Sequence, residues 1–262
     1  MLASHYIKLS IVLLVASVTL EITLLAGLFQ FSDALYHGIH LLLMATLIVS
    51  QLTLFLTADK HLQTRKYALW FAIATTFTAI GDYVNSAVSA VQPVSMKLTW
   101  AMLLFGIGYA VYNVVLWQIN YLMLKQQGKT RFSGLQYAIA LPILAINVVS
   151  WFQHVEPNIR GLDVLYYGSF IFNATIYVMM PLFAVWFFHQ TKYSMGGLLV
   201  LLGAFLIPYS DLILFASWLR GNPPVPSFQL YAYNWILYFS GQALLTQLPS
   251  WAMMAESKTT MA

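Results

Sequence analysis

Long apolar runs dominate the chain, at 7–29, 36–57, 67–90, 98–123, 134–152, 164–188, 194–217 and 228–250. A helix rises about 1.5 Å per residue, so about 20 apolar residues cross the hydrocarbon of a bilayer. The breaks between the runs carry turn or charge signals: Ser32-Asp33, Asp59-Lys60, Gln92-Pro93, Gly128-Lys129, Glu156-Pro157-Asn158, Thr191-Lys192 and Gly221-Asn222-Pro223-Pro224. The pattern predicts an all-α membrane protein, one bundle of eight transmembrane helices in a single domain over 1–262. The first run extends to Phe29 and contains Glu21. A secretory leader has a shorter apolar core and a small-residue cleavage site, so this run reads as a first spanning helix.

Composition strengthens that reading. The chain is 60% hydrophobic and 8% charged, against about 25% charged in a soluble domain. The net charge of +4 has no basic stripe behind it, which argues against a nucleic-acid partner. Charge placement sets the orientation instead. With both termini on one side, that side holds Lys8, Lys60, Arg65, Lys66, Lys125, Lys129, Arg131, Lys192 and Lys258, and the other only Lys97, Arg160 and Arg220. Basic residues concentrate in cytoplasmic loops, so both termini are expected in the cytoplasm of a multi-pass protein, of the kind found in a bacterial inner membrane. There is no cysteine, hence no disulfide or thiolate chemistry.

Against this apolar background three acids stand out: Glu21, Asp82 and Asp211, in the first, third and seventh spans. In the orientation above, all three sit about 20–25 Å from the cytoplasmic start of their helices. A carboxylate at that depth is costly and marks a functional site by default. No Lys or Arg lies deep in a span to neutralise the aspartates, so one of them is expected to hold a proton. A protonated acid beside an ionised one suits acid–base catalysis. Thr75, Thr78, Asp82, Asn85, Ser86 and Ser89 fall on one helical stripe, which reads as a cavity wall. Asp211 follows Pro208, which can kink its helix, and Gly203-Ala204, which permits close helix approach.

Other spans bring polar groups at helical spacing. Tyr109 and Asn113 lie in the fourth, Asn173 and Tyr177 in the sixth, Tyr238 and Gln242 in the eighth; with Asn85 and Glu21 they are candidate substrate-binding residues. Ser17, one turn before Glu21, could hydrogen-bond it. Tyr166, Tyr167 and Tyr231 read as interfacial anchors. Asp33, His37 and His40 have metal-compatible spacing, but nothing completes the set, so no metal or other cofactor is expected. Nucleophile-elbow and phosphate-loop motifs are absent, and no deep lysine is available for a Schiff base. A four-plus-four parallel repeat would map Asp82 onto Asp211.

Four motifs in order resemble those of the YhhN-like lysoplasmalogenase family: Gly81-Asp82; Phe105-Gly106 through Tyr109; Gly203-Ala204 through Ser210-Asp211; and Tyr238 through Gly241-Gln242-Ala243-Leu244-Leu245. The resemblance covers most of the chain from about residue 66 onward. Departures are Tyr112 or Asn113 in place of the family's usual His in helix 4, a missing early Lys-Pro, and Gly241 for an Ala. The resemblance implies an eight-helix hydrolase without cofactor. It would cleave the vinyl-ether bond of lysoplasmalogens to a fatty aldehyde and glycerophosphocholine or glycerophosphoethanolamine, with Asp82 and Asp211 as the acid–base pair. The partners would be a lysophospholipid substrate and membrane lipid. The polar stripe favours Asp82 as the ionised member and Asp211 as the acid. A proton-coupled transporter of a lipid or small molecule, or a lipid-binding scaffold, would also use intramembrane acids.

Overall fold

The computed structural model describes residues 2–86, 89, 94–129, 133–159, 163–220 and 228–260. The expected turns at Gln92-Pro93 and Gly221–Pro224, the end of the third apolar run at Ala90, and Arg131 and Arg160 of the charge count lie outside them. Among the described residues there is no β-strand. The helices are α1 (Leu2–Leu25), α2 (Asp33–Thr57), α3 (Arg65–Asn85), α4 (Val94–Gln126), α5 (Gly134–Ser150), α6 (Glu156–Ile159), α7 (Asp163–Asn173), α8 (Met180–Gln190), α9 (Met195–Arg220), α10 (Phe228–Leu245) and α11 (Leu248–Thr260). Five stretches are long and apolar enough to cross a membrane: Ala3–Leu25, Asp33–Thr57, Met96–Gln126, Tyr166–Gln190 and Met195–Ile213. They make this a multi-pass membrane protein. The predicted fifth span forms α5, an apolar helix of 17 residues that is too short to be counted with them. The predicted third and eighth spans form helices that fall short of this hydropathy because they carry polar groups, Thr75, Thr78 and Asp82 on α3 and Asn234, Ser240 and Gln242 on α10.

One expected boundary shifts and one predicted span is irregular inside, each next to a proline. Glu156-Pro157-Asn158 does not end a helix: α5 runs on through a π-helical turn, Trp151–Val155, into α6. A second π-helical turn, Ala174–Met179, joins α7 to α8 ahead of Pro181. Each proline lies two residues past its π turn. Proline lacks an N–H and its ring crowds the carbonyl four residues back, which favours a wider turn over a break when neighbouring helices hold the chain straight. Asn113 Nδ2 donates to Thr175 O at 2.8 Å inside the second π turn, and Trp151 Nε1 in the first donates to Ser169 Oγ at 3.1 Å.

The predicted eighth span also divides. α10 stops at Leu245, and α11 begins at Leu248-Pro249. Gln51 Nε2 of α2 donates to the Thr246 carbonyl at this break, 2.9 Å away. The first span closes earlier than expected, at Leu25, because Gly27 takes φ 72° and Leu28 N donates back to Thr23 O at 3.1 Å. The third likewise ends at Asn85, so Ser86 caps it and Ser89 lies beyond the helical stripe.

Packing runs from α1 to α2, α3, α4, α8, α9 and α10, and α10 returns to α1. This circuit surrounds the polar stripe of α3. Close crossings depend on glycine. A Cβ at Gly108 of α4 would lie 2.6 Å from Thr78 Cγ2 and 2.8 Å from Ala74 O of α3. α11 fastens the base of α3: Glu256 Oε1 accepts from Gln63 N at 2.8 Å, and Oε2 accepts from Thr64 N at 3.0 Å and Thr64 Oγ1 at 2.6 Å. Thr64 is the N-cap of α3 and its side chain caps no helical N–H; Glu256 ties the two residues that lead into the helix to α11. Glu256→Ala is expected to cost about 1–3 kcal/mol, read as a lower thermal midpoint of detergent-solubilised protein, whereas Glu256→Gln should recover part of it.

Candidate functional site

Asp82 occupies the last turn of α3 and Asp211 the region of α9 just past Pro208. The circuit of helices brings them within electrostatic reach of each other. Asp211 is 4% exposed, whereas Asp82 is half-buried. Two tyrosines, Tyr109 of α4 and Tyr238 of α10, lie within electrostatic reach of both aspartates, and Tyr109 is directed at Asp211. Both hydroxyls are buried without a well-formed hydrogen bond, and so is Asp211 Oδ2. A buried polar group without a partner in the fold calls for one from outside, and water or a bound molecule can supply it.

The local sequence explains this gathering. Gly81 leaves space for the Phe105 ring, which would lie 3.2 Å from a Cβ there. Phe105 in turn stacks on Tyr109 at 5.8 Å and meets Tyr238 edge-on at 5.9 Å. The motif glycine therefore sets the aromatic wall that aims both tyrosines. One turn deeper a polar network is fully engaged. Tyr112 OH donates to Gln242 Oε1 at 2.7 Å and lies 2.7 Å from Thr75 Oγ1, while Gln242 Nε2 reaches Thr78 Oγ1 at 3.5 Å. Gln242 is thus a floor beneath the aspartates, held by Tyr112 at one of the two positions noted for the family's helix-4 histidine.

An apolar cavity of about 300 Å³ lies on the Asp211 side of the pair. It is framed by α5, α7 and α9 and by both π-helical turns, through Ile143, Ile146, Val155, Phe172, Phe205 and Leu212, with Asn173 and Tyr177 as polar points. Phe172 packs against Tyr109 at 6.0 Å, and Tyr177 lies within electrostatic reach of Asp211. Asn173 and Tyr177 are thereby placed on the apolar side. Asn113 is spent elsewhere: its amide braces the π turn, and it faces a separate groove with Trp117 and Phe183. Asn85 is buried with its Oδ1 unpartnered.

On the opposite side, Asp82 lines a small cleft with His37, His40, Leu41, Tyr83, Ser86 and Tyr231. Glu21 lies just behind it, fully buried, where His40 Nε2 is 2.7 Å from Oε1 and Tyr36 OH donates to Oε2 at 2.8 Å. Tyr36 and Tyr231 are within electrostatic reach of both Glu21 and Asp82. Several expectations change here. Ser17 does not serve Glu21; its Oγ accepts from Trp235 Nε1 at 3.1 Å. Tyr231, taken as an interfacial anchor, lines the site. His40, whose spacing from Asp33 and His37 suits a metal, instead partners Glu21. Glu21 is an acid inside a span that needs a partner, and a histidine in the adjacent span was the available signal. Among the described residues no three His, Cys, Asp or Glu side chains gather as metal ligands.

Residues 35–248 match the model of the YhhN family. No curated protein and no solved structure matches the chain significantly.

Proposed function

The chain belongs to the YhhN family, which includes lysoplasmalogenases, and from that premise we propose that it hydrolyses the vinyl-ether bond of lysoplasmalogens inside the membrane. The products are a fatty aldehyde and glycerophosphocholine or glycerophosphoethanolamine. One observation carries the reading beyond the family: Tyr109 OH, Tyr238 OH and Asp211 Oδ2 are buried without a well-formed hydrogen bond around a pair of aspartates, and an apolar cavity lies on the Asp211 side.

In this reading the alkenyl chain lies in the cavity framed by the π turns, and the ether oxygen sits between the aspartates. Asp211, the more deeply buried, gives its proton to the outer vinyl carbon. The carbon bonded to oxygen becomes an oxocarbenium centre. Asp82, open to the polar cleft, stays ionised and opposes that charge. Tyr109 and Tyr238 orient the ether oxygen and the carboxyl groups. Water adds to the cation, and the hemiacetal collapses. Proton transfer by positioned carboxyls supplies about 10²–10⁴-fold of the rate. The chemistry asks for no metal or organic cofactor. Eight membrane passes with both termini in the cytoplasm, in a single domain, remain part of this proposal.

The test is aldehyde release by purified protein from a lysoplasmalogen, with chelator present, against an acyl lysophospholipid as control. Release from the vinyl ether alone is expected; no release, or equal turnover of the acyl ester, overturns the reading. A proton-coupled carrier is the second reading, favoured by the Asp33–His37–His40 stripe that runs inward from the exposed end of α2. It would show substrate-dependent proton uptake in vesicles and no aldehyde.

A further inference from the structure

The cleft on the far side of Asp82 contains a second proton-handling unit. Both Glu21 oxygens receive donors, Tyr36 OH on Oε2 and His40 Nε2 on Oε1. With Glu21 as the carboxylate, its oxygens only accept, which assigns the His40 proton to Nε2 and leaves Nδ1 as a base. The ring is fixed in place: it stacks on Trp235 with 3.7 Å between centroids and 4° between planes. Its Nδ1 is buried with no partner in the fold. His40 and Asp82 line the same cleft, whose free volume is about 10 Å³, roughly the space that one water requires. A buried acid, an oriented imidazole with one nitrogen unused, and a water-sized space beside a proposed catalytic carboxylate form a base with its orienting partner.

We propose that His40, held by Glu21, is the base that takes a proton from the hydrolytic water at Asp82 and returns it to the leaving oxygen. The identity of the reaction rests on the hydrolase reading; the coupling of the pair to Asp82 does not. The steps balance. After Asp211 has protonated the vinyl carbon, the water oxygen bonds to the oxocarbenium carbon and its O–H breaks toward His40 Nδ1. The imidazolium is held against the Glu21 carboxylate. On collapse, the hemiacetal hydroxyl returns a proton to Asp211, and the carbon–oxygen bond to glycerol breaks as His40 protonates that oxygen. Asp211 is again the acid and His40 again the base. The groups that face His40 are Glu21 from α1, Tyr36 and His37 from α2, Asp82 from α3 and Tyr231 from α10; Lys97 of α4 stands at the rim, donating to Ser86 O at 2.7 Å. Tyr36 is a positioning residue acting through Glu21.

The experiment compares His40→Gln, which keeps a donor for Glu21 but has no titratable nitrogen, with His40→Ala in the full-length protein. His40→Gln is expected to lose about 100-fold or more in kcat for aldehyde release, with KM within about three-fold of the parent. Imidazole in the buffer is expected to restore turnover to His40→Ala and not to Asp82→Ala, which a purely structural role for His40 would not produce. A kcat for His40→Gln within about three-fold of the parent, or no response of His40→Ala to imidazole, overturns the proposal. A second arm needs neither substrate nor a folded His40 variant. In protein labelled with ¹⁵N-histidine, the ring that responds to Glu21→Gln should carry its proton on Nε2, and its titration should move in Asp82→Asn. A proton on Nδ1, or a titration indifferent to Asp82→Asn, overturns the coupling. Absence of aldehyde from the parent protein with the coupling intact would instead refute the hydrolase reading alone.

Discussion

Asp211→Asn is expected to lower kcat for aldehyde release by about 10²–10⁴-fold, and Asp82→Asn by a similar factor, with KM little changed in either. Asparagine matches aspartate in shape, so the packing of α3 against α4 and of α9 against α10 should persist. Its amide can still hydrogen-bond to Tyr109 or Tyr238, but it cannot deliver a proton to carbon and carries no charge to oppose a cation. The two losses should therefore fall on the chemical step and leave binding in the apolar cavity intact. Groups that act as a unit lose activity non-additively. The double variant is expected near the slower single variant, far above the product of the two losses. Steady-state kinetics on monodisperse, detergent-solubilised protein decides it. Full activity in either variant removes the two-acid mechanism, and a rise in KM at constant kcat would demote the aspartates to binding.

Tyr109 and Tyr238 extend the same logic. Their hydroxyls also lack a well-formed hydrogen bond, yet neither is required to move a proton in the proposed cycle. They orient groups that do. Their buried rings also form the wall built on Phe105, so the hydroxyl and the ring make separable contributions. Phenylalanine at either position keeps the wall and removes only the orienting bond.

Much of this architecture was legible in the sequence because long apolar runs admit few structures: backbone groups in lipid must be satisfied within the segment, and helices do that. The aspartates were legible for the same reason, since a carboxyl in such a run demands an explanation. What could not be read was which faces meet. Pro157 looked like a loop residue because proline usually ends a helix, and only the neighbouring helices make a π turn the better outcome. Tyr231 resembled an interfacial anchor because its distance from the span end says nothing about the direction of its ring. His40 looked idle because its partner, Glu21, lies 19 residues earlier on another helix. The glycines are a further case. Gly81 reads as half of a Gly-Asp pair, but its physical task is to admit the Phe105 ring, a contact that no spacing along one helix encodes.

Gly241→Leu is expected to be the most damaging single change outside the aspartates. The crossing of α9 and α10 has almost no space between backbones. A Cβ at Gly241 would lie 2.6 Å from Ile207 Cγ1, 2.9 Å from Ile207 N and 3.1 Å from Gly203 O, and one at Gly203 would lie 2.6 Å from Leu245 N and 2.8 Å from Gly241 O. The two glycines face each other, as small residues do where membrane helices approach closely. Rotation of a flexible side chain can relieve the Ile207 Cγ1 contact, but the contacts with backbone atoms require the helices to part. Overpacking of this kind costs about 1–3 kcal/mol for one added methyl group and more for a larger side chain. Gly241→Ala should thus lower the thermal midpoint while leaving a folded protein, even though alanine is the residue that the family motif usually carries there. Gly241→Leu should separate α9 from α10 and yield aggregated or unstable protein. The functional consequence follows from what the crossing holds: Asp211 is four residues past Ile207 on α9, and Tyr238 and Gln242 flank Gly241 on α10. A small parting of the helices moves an aspartate away from the tyrosine and the glutamine that frame it. Gly241→Ala is therefore expected to lower kcat as well as stability, and an unchanged kcat alongside a lowered midpoint would mean that the site tolerates that movement.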